Sequence, residues 1–130
     1  TVHIALRCER RLLDKRINER ARAMFDGGLV EEVEALIDQG IREGETAPRA
    51  IGYAQALAVI DGTMSVPEAV DSTALATRQL ASRQIKWFRR DPRLHWIDVA
   101  LTEAGQCTDS ERSRLTRQAW ELVCARRGVA

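Results

Sequence analysis

Thr77-Arg78-Gln79-Leu80-Ala81-Ser82-Arg83-Gln84-Ile85-Lys86-Trp87-Phe88-Arg89-Arg90 carries five basic residues, two glutamines and two large aromatics in fourteen positions, and stops just short of Asp91-Pro92. On an α-helix, at about 100° per residue, its charges separate from its apolar groups. Arg78, Arg83, Lys86, Arg89 and Arg90 fall on one arc. Leu80, Ala81, Ile85, Trp87 and Phe88 fall on the other, continued upstream by Ala69, Val70, Thr73 and Ala74. Ser65-Val66-Pro67-Glu68 supplies a capping box with proline in the first turn, and Pro92 supplies the stop. The reading is a helix of about 24 residues that buries one face and offers a guanidinium-rich face to an anion. Arginine forks suit phosphate oxygens and stacked bases, and glutamine amides pair with base edges. An ordinary core helix with a solvated basic face accounts for the same residues.

Upstream of this helix the pattern is also helical. Leu13, Ile17, Ala21 and Met24 or Phe25 form an apolar stripe that Gly27-Gly28 ends. Arg16 and Arg20 lie four apart beside it and project together. Such a pair could hold a phosphate, or simply pair with nearby acids. Leu29, Val33, Leu36 and Ile37 make a second amphipathic helix with Glu31, Glu32 and Glu34 near its start. Residues 41–48 read as loop. Arg49-Ala50-Ile51-Gly52-Tyr53 then leads into Ala56-Leu57-Ala58-Val59-Ile60. Gly52 and Tyr53 there serve either close approach and stacking of a ligand or tight internal packing.

Two short apolar runs break the helical pattern. Val2 to Leu6 and Leu94 to Val99 read as strands. Residues 100–110 read as a linker. Asp109 or Ser110 is expected to cap a last helix on Leu115, Ala119, Leu122 and Val123, with Trp120 near that stripe and Arg126-Arg127 at its end.

The 130 residues have the apolar and charged fractions of a globular protein, and the net charge of +1 is uninformative by itself. Its distribution says more, because bases crowd residues 7–22 and 78–93 while acids crowd 26–45. Three cysteines at wide spacing fit a reduced, cytoplasmic setting better than a disulfide framework. His3 and His95 stand alone rather than in a metal-binding pattern, so no metal ligand is assigned. There is no signal peptide, long apolar run or lipidation signal. The absence of an initial Met and the abrupt opening strand suggest a piece of a longer protein. None of the eight glycines opens a phosphate-binding loop, and no nucleophile–base grouping or carboxylate pair presents itself. No catalytic residue is assigned in these residues.

Five ordered motifs resemble the carboxyl-terminal part of the tRNA dimethylallyltransferase (tRNA isopentenylpyrophosphate transferase) family. They are Arg10-Arg11-Leu12-Leu13-Asp14-Lys15-Arg16-Ile17-Asn18-Glu19-Arg20, Gly28-Leu29-Val30-Glu31-Glu32-Val33, Arg49-Ala50-Ile51-Gly52-Tyr53, Thr77 to Arg89, and His95-Trp96-Ile97-Asp98. The resemblance implies a parent enzyme that transfers a dimethylallyl group from dimethylallyl diphosphate to N6 of the adenine 3′ to the anticodon. It implies Mg2+ and an amino-terminal phosphate loop, with magnesium ligands outside this chain. It also implies that the adenine flips out of its loop.

Carried over by residue, the resemblance makes Arg49, Ala50, Ile51, Gly52, Tyr53, Arg78, Arg83, Gln84, Lys86, Trp87 and Arg89 candidate tRNA contacts. Arg16 or Arg20 becomes a candidate for the diphosphate. Ala54 and Ser82 depart from the family's basic residues at those positions. The expected fold is mainly α, a helical bundle-like piece with two short strands derived from a P-loop NTPase-like α/β core. Residues 1–99 would form the family-like core, 100–108 a linker and 109–130 a terminal helix. The expected partners are the tRNA anticodon stem-loop and, in the parent, dimethylallyl diphosphate, with no membrane. Exposed strand edges would favour pairing of two copies. A non-enzymatic helical module binding RNA or protein, and an inactive structural remnant, are the competing readings.

Overall fold

Two five-residue strands, β1 (His3–Arg7) and β2 (Leu94–Asp98), pair in parallel with His3 opposite Leu94 and Arg7 opposite Asp98. They form a two-stranded sheet in which each strand keeps one edge unpaired among the described residues. The computed structural model describes residues 1–128, so the last two residues of the expected 109–130 helix lie outside the described residues. Among the described residues five α-helices complete it: α1 (Arg10–Asp26), α2 (Leu29–Ile37), α3 (Tyr53–Ile60), α4 (Val66–Phe88) and α5 (Asp109–Arg127). The fold is mainly α with two short strands. None of the described helices is long and apolar enough to cross a membrane.

The chain forms two compact units, residues 17–81 and residues 1–16 with 82–130. In the first, Gly28 turns α1 into α2 with φ of +96°, a conformation that suits glycine. Phe25, Leu29, Val33, Ile41, Ala56, Leu57 and Ala69 form its core, with Val33, Ala56 and Ala69 fully buried. Residues 41–49 are two single 3₁₀ turns rather than plain loop, and Arg42 from the first pairs with Asp61 at 2.7 Å. The expected capping box is present: Ser65 N–H donates to Glu68 at 2.8 Å, and Glu68 N–H donates to the Ser65 hydroxyl at 3.3 Å.

In the second unit Ile97 is the buried centre of the sheet, 1% exposed. Arg7 pairs with Asp98 across the strands, and its guanidinium lies 5.9 Å from the Trp96 ring centroid. Residues 100–108 make an ordered loop against the start of α1. Arg11 grips the Glu103 carboxylate with two bonds of 3.0 and 3.2 Å, and Lys15 donates to the Glu103 carbonyl at 2.9 Å. The loop closes on itself through Thr102 N–H to the Gln106 carbonyl and Gly105 N–H to the Thr102 carbonyl, both 2.8 Å.

The cap of α5 is Thr108, one residue before Asp109 and two before Ser110, the expected caps. Thr108 is extended and its hydroxyl accepts from Glu111 N–H, the geometry an N-cap needs. Trp120, expected near the apolar stripe, lies at its margin and is 64% exposed. The stripe of half-buried residues runs through Leu115, Gln118, Ala119, Leu122 and Val123, and Trp120 lies past its edge, about 60° beyond Val123.

Candidate nucleic-acid interface

The second half of α4 presents its cations to solvent. Arg83, Gln84, Lys86, Arg89 and Arg90 are all exposed, with α4 ending at Phe88 and the two arginines in the turn that follows. The inward stripe is Thr77, Ala81, Ile85 and Phe88, the three- and four-residue spacing of one helical face.

Trp87 and Leu80 do not join that stripe, and this corrects the arc drawn for the helix. Both lie roughly 100° from its middle, and they are 69% and 37% exposed. The Trp87 ring meets Phe88 edge-on, with centroids 5.0 Å apart and planes at 65°. It lines an open cleft with Arg90, Asp91, Pro92 and Arg93. Arg93 donates to both oxygens of Asp91 at 2.8 and 2.7 Å, and together with the Arg93 backbone N–H it holds that carboxyl at about 2. Asp91 is thereby occupied by Arg93. Arg83, Lys86, Arg89 and Arg90 have no carboxylate partner among the described residues, whereas Arg7, Arg11, Arg42, Arg93, Arg112 and Arg114 each have one.

Ser82 stands where basic residues are frequent in the family resemblance, and its hydroxyl accepts from Arg10 at 2.8 Å. A guanidinium thus reaches this position from α1. Nothing in the local pattern around Ser82 signals that pairing, because the two residues are 72 apart in sequence.

In the other unit, Arg49, Ala50 and Ile51 are exposed at the end of a 3₁₀ turn. Gly52 is buried with φ of +96°, and a Cβ there would stand 3.2 Å from Met24 Cε and 3.6 Å from Leu29 Cδ2. Its N–H donates to the Gln55 side chain at 2.8 Å. Tyr53 is half-buried against the core, and its hydroxyl donates to Glu32 at 2.7 Å. That bond raises the phenol above its ordinary value. Of the alternatives open for Gly52 and Tyr53, internal packing is the one these contacts describe. Arg78 is half-buried and donates to Asn18 Oδ1, a partner that sequence reasoning missed.

Arg16 and Arg20 differ in their surroundings. Both are exposed, but Arg16 donates to the Gly105 carbonyl at 3.3 Å, whereas Arg20 has no partner among the described residues. The nearby Cys8 thiol is pushed up by burial, against the opposing charges of Arg16 and Arg10. All three cysteines are free thiols. Among the described residues no group of three or more His, Cys, Asp or Glu side chains converges.

Residues 1–91 match the family model described as IPP transferase. A tRNA dimethylallyltransferase of Rhodococcus jostii is 58% identical over 96 residues, covering 74% of this chain and 31% of that protein. One from Mycobacterium tuberculosis is 45% identical over 125 residues, covering 94% of this chain and 38% of that protein. The crystal structure of the full-length tRNA isopentenylpyrophosphate transferase from Bacillus halodurans superposes with a TM-score of 0.73 at 32% identity. That match covers 93% of this chain and 39% of that one. The chain thus spans about a third of the length of the curated relatives it matches.

Proposed function

The chain belongs to the IPP transferase family, and we propose on that premise that it is the tRNA-binding carboxyl-terminal portion of a tRNA-modifying prenyltransferase. The reaction in this reading moves a dimethylallyl group from dimethylallyl diphosphate to N6 of the adenine 3′ to the anticodon. The setting is the cytoplasm. The observation that carries the proposal is the run of unpaired cations at Arg83, Lys86, Arg89 and Arg90 around the exposed ring of Trp87. Guanidinium and ammonium groups without carboxylate partners are available for phosphates, and a solvent-facing indole offers a base a stacking surface. In this reading the chain contributes recognition, and Arg20 is the better placed of the two α1 arginines for the diphosphate, because Arg16 is engaged by the Gly105 carbonyl. Magnesium ligands are no part of its contribution.

The test is binding to a labelled anticodon stem-loop with an adenine following the anticodon, beside an unrelated hairpin, across a salt series. Preference for the former, with Arg83→Ala weakening binding and lowering the salt slope by about 1, is the expected result. Equal or absent binding would overturn it. The chain alone is expected to give no transfer from dimethylallyl diphosphate to that RNA. Turnover would refute the assignment of a purely recognising role.

A further inference from the structure

Helix α5 lies beyond the residues matched by the family model; none of its residues is fully buried, and one side is half-buried while the other is exposed. Leu115, Ala119, Leu122 and Val123 are half-buried on the inner side. The outer side carries exposed Ser113, Thr116, Arg117 and Arg127 and half-buried Cys124, with Trp120 as its one large exposed apolar group. Arg117, Trp120 and Arg127 fall within an arc of about 80° on an α-helix, so the indole is flanked along one stripe by guanidinium groups. The other basic residues near the start of α5 are spoken for, Arg112 by Asp109 at 3.1 Å and Arg114 by Glu111 at 2.6 Å. Arg117 and Arg127 have no partner among the described residues.

This composition selects an occupant. A membrane surface or a helix-binding protein groove is met by several large apolar residues along one face, and the outer face of α5 has one. A single exposed indole between unpaired guanidinium groups is complementary to a nucleic-acid strand, with a base on the ring and phosphates on the cations. We propose that the outer face of α5 is a second RNA-contacting surface, on which Trp120 stacks with an unpaired base of the substrate tRNA while Arg117 and Arg127 meet its phosphates. This rests on the tRNA-binding reading above.

The experiment measures binding of the chain to a full-length tRNA transcript with an adenine after the anticodon, across salt. The variants are Trp120→Leu, Trp120→Phe, Arg117→Ala and Arg127→Ala, with Arg83→Ala in α4 as reference. Trp120→Leu should weaken binding about tenfold and Trp120→Phe much less, since a phenyl ring still stacks. Each arginine variant should lower the salt slope by about 1. Wild-type affinity and slope in all the α5 variants, with Arg83→Ala still weakened, would overturn the second surface and leave the first standing. Equal losses in Trp120→Phe and Trp120→Leu would overturn the stacking. Failure of the wild-type chain to prefer the tRNA over an unrelated hairpin would overturn both readings.

Discussion

Gly105 is pressed against Leu12: a Cβ at residue 105 would stand 2.9 Å from the Leu12 carbonyl oxygen and 3.1 Å from the Arg16 nitrogen. Both neighbours are helix backbone, which cannot step aside as a side chain would. Gly105 also has φ of +75°. Gly105→Ala should therefore lift the 100–108 loop off α1, at a cost of about 1–3 kcal/mol from the backbone conformation and further loss from the clash. Amide exchange at Gly105 and Gln106, which the closed loop protects, should accelerate well before global unfolding. Unchanged protection would contradict this account of the loop.

Gly52 provides the corresponding test in the other unit. Its φ of +96° is combined with ψ of −52°, a conformation poorly suited to L side chains. Gly52→Ala should destabilise by about 1–3 kcal/mol. The Met24 methyl, 3.2 Å from the new carbon, can yield by changing rotamer. A lowered urea midpoint with an unchanged slope is the expected signature.

Thr73 is 2% exposed, and its hydroxyl has no hydrogen-bond partner among the described residues. A buried unsatisfied hydroxyl costs about 1–3 kcal/mol, so Thr73→Val should be neutral to stabilising, by up to about 1 kcal/mol. Ile97→Ala should act in the opposite direction and cost about 2–5 kcal/mol, because it empties the centre of the sheet. Thermal unfolding of the two variants side by side would check both signs.

Glu111 ties the start of α5 to the end of β2. Its carboxylate accepts from Arg114 and from the Ala100 N–H at 2.8 Å, and these bonds hold its carboxyl at about 2, well below the usual range. A carboxyl depressed in the folded state stabilises it above the unfolded value near 4.5 and loses that contribution as pH falls towards 2. Attachment of α5 should therefore weaken across that window. In Glu111→Gln it should already be weakened at pH 7, with less change on acidification. Exchange at Ala100, followed against pH in both forms, reads this directly.

Much of this architecture was legible locally. Periodicity located the helices, Gly27-Gly28 and the Ser65–Glu68 box marked their ends, and two β-branched runs marked the strands. What escaped was decided by distant residues. Trp87 and Trp120 sit at the margins of apolar arcs, and helix geometry alone does not say which margin the rest of the chain covers. The role of Tyr53 stayed open because Glu32, which receives its hydroxyl, lies 21 residues earlier. Asn18 is 60 residues from Arg78, and the Gly105 loop is 89 from Arg16, so no short pattern announces either contact. For the interface, residue types along α4 were readable, but which cations lacked carboxylates became visible only in the structure.

The two strands also set an order of events. β1 and β2 pair across 91 residues, so a ribosome adding about 5–20 residues per second completes β2 roughly 5–20 s after β1. Helix formation takes about a microsecond, so local helices can form throughout that interval. Residues 17–81 are a continuous segment available in full before β2 is made, whereas the unit containing the sheet draws on both sides of it. Until synthesis passes Asp98, β1 has no partner strand within these residues, and its apolar groups are open to chaperones or to β1 of a neighbouring nascent chain.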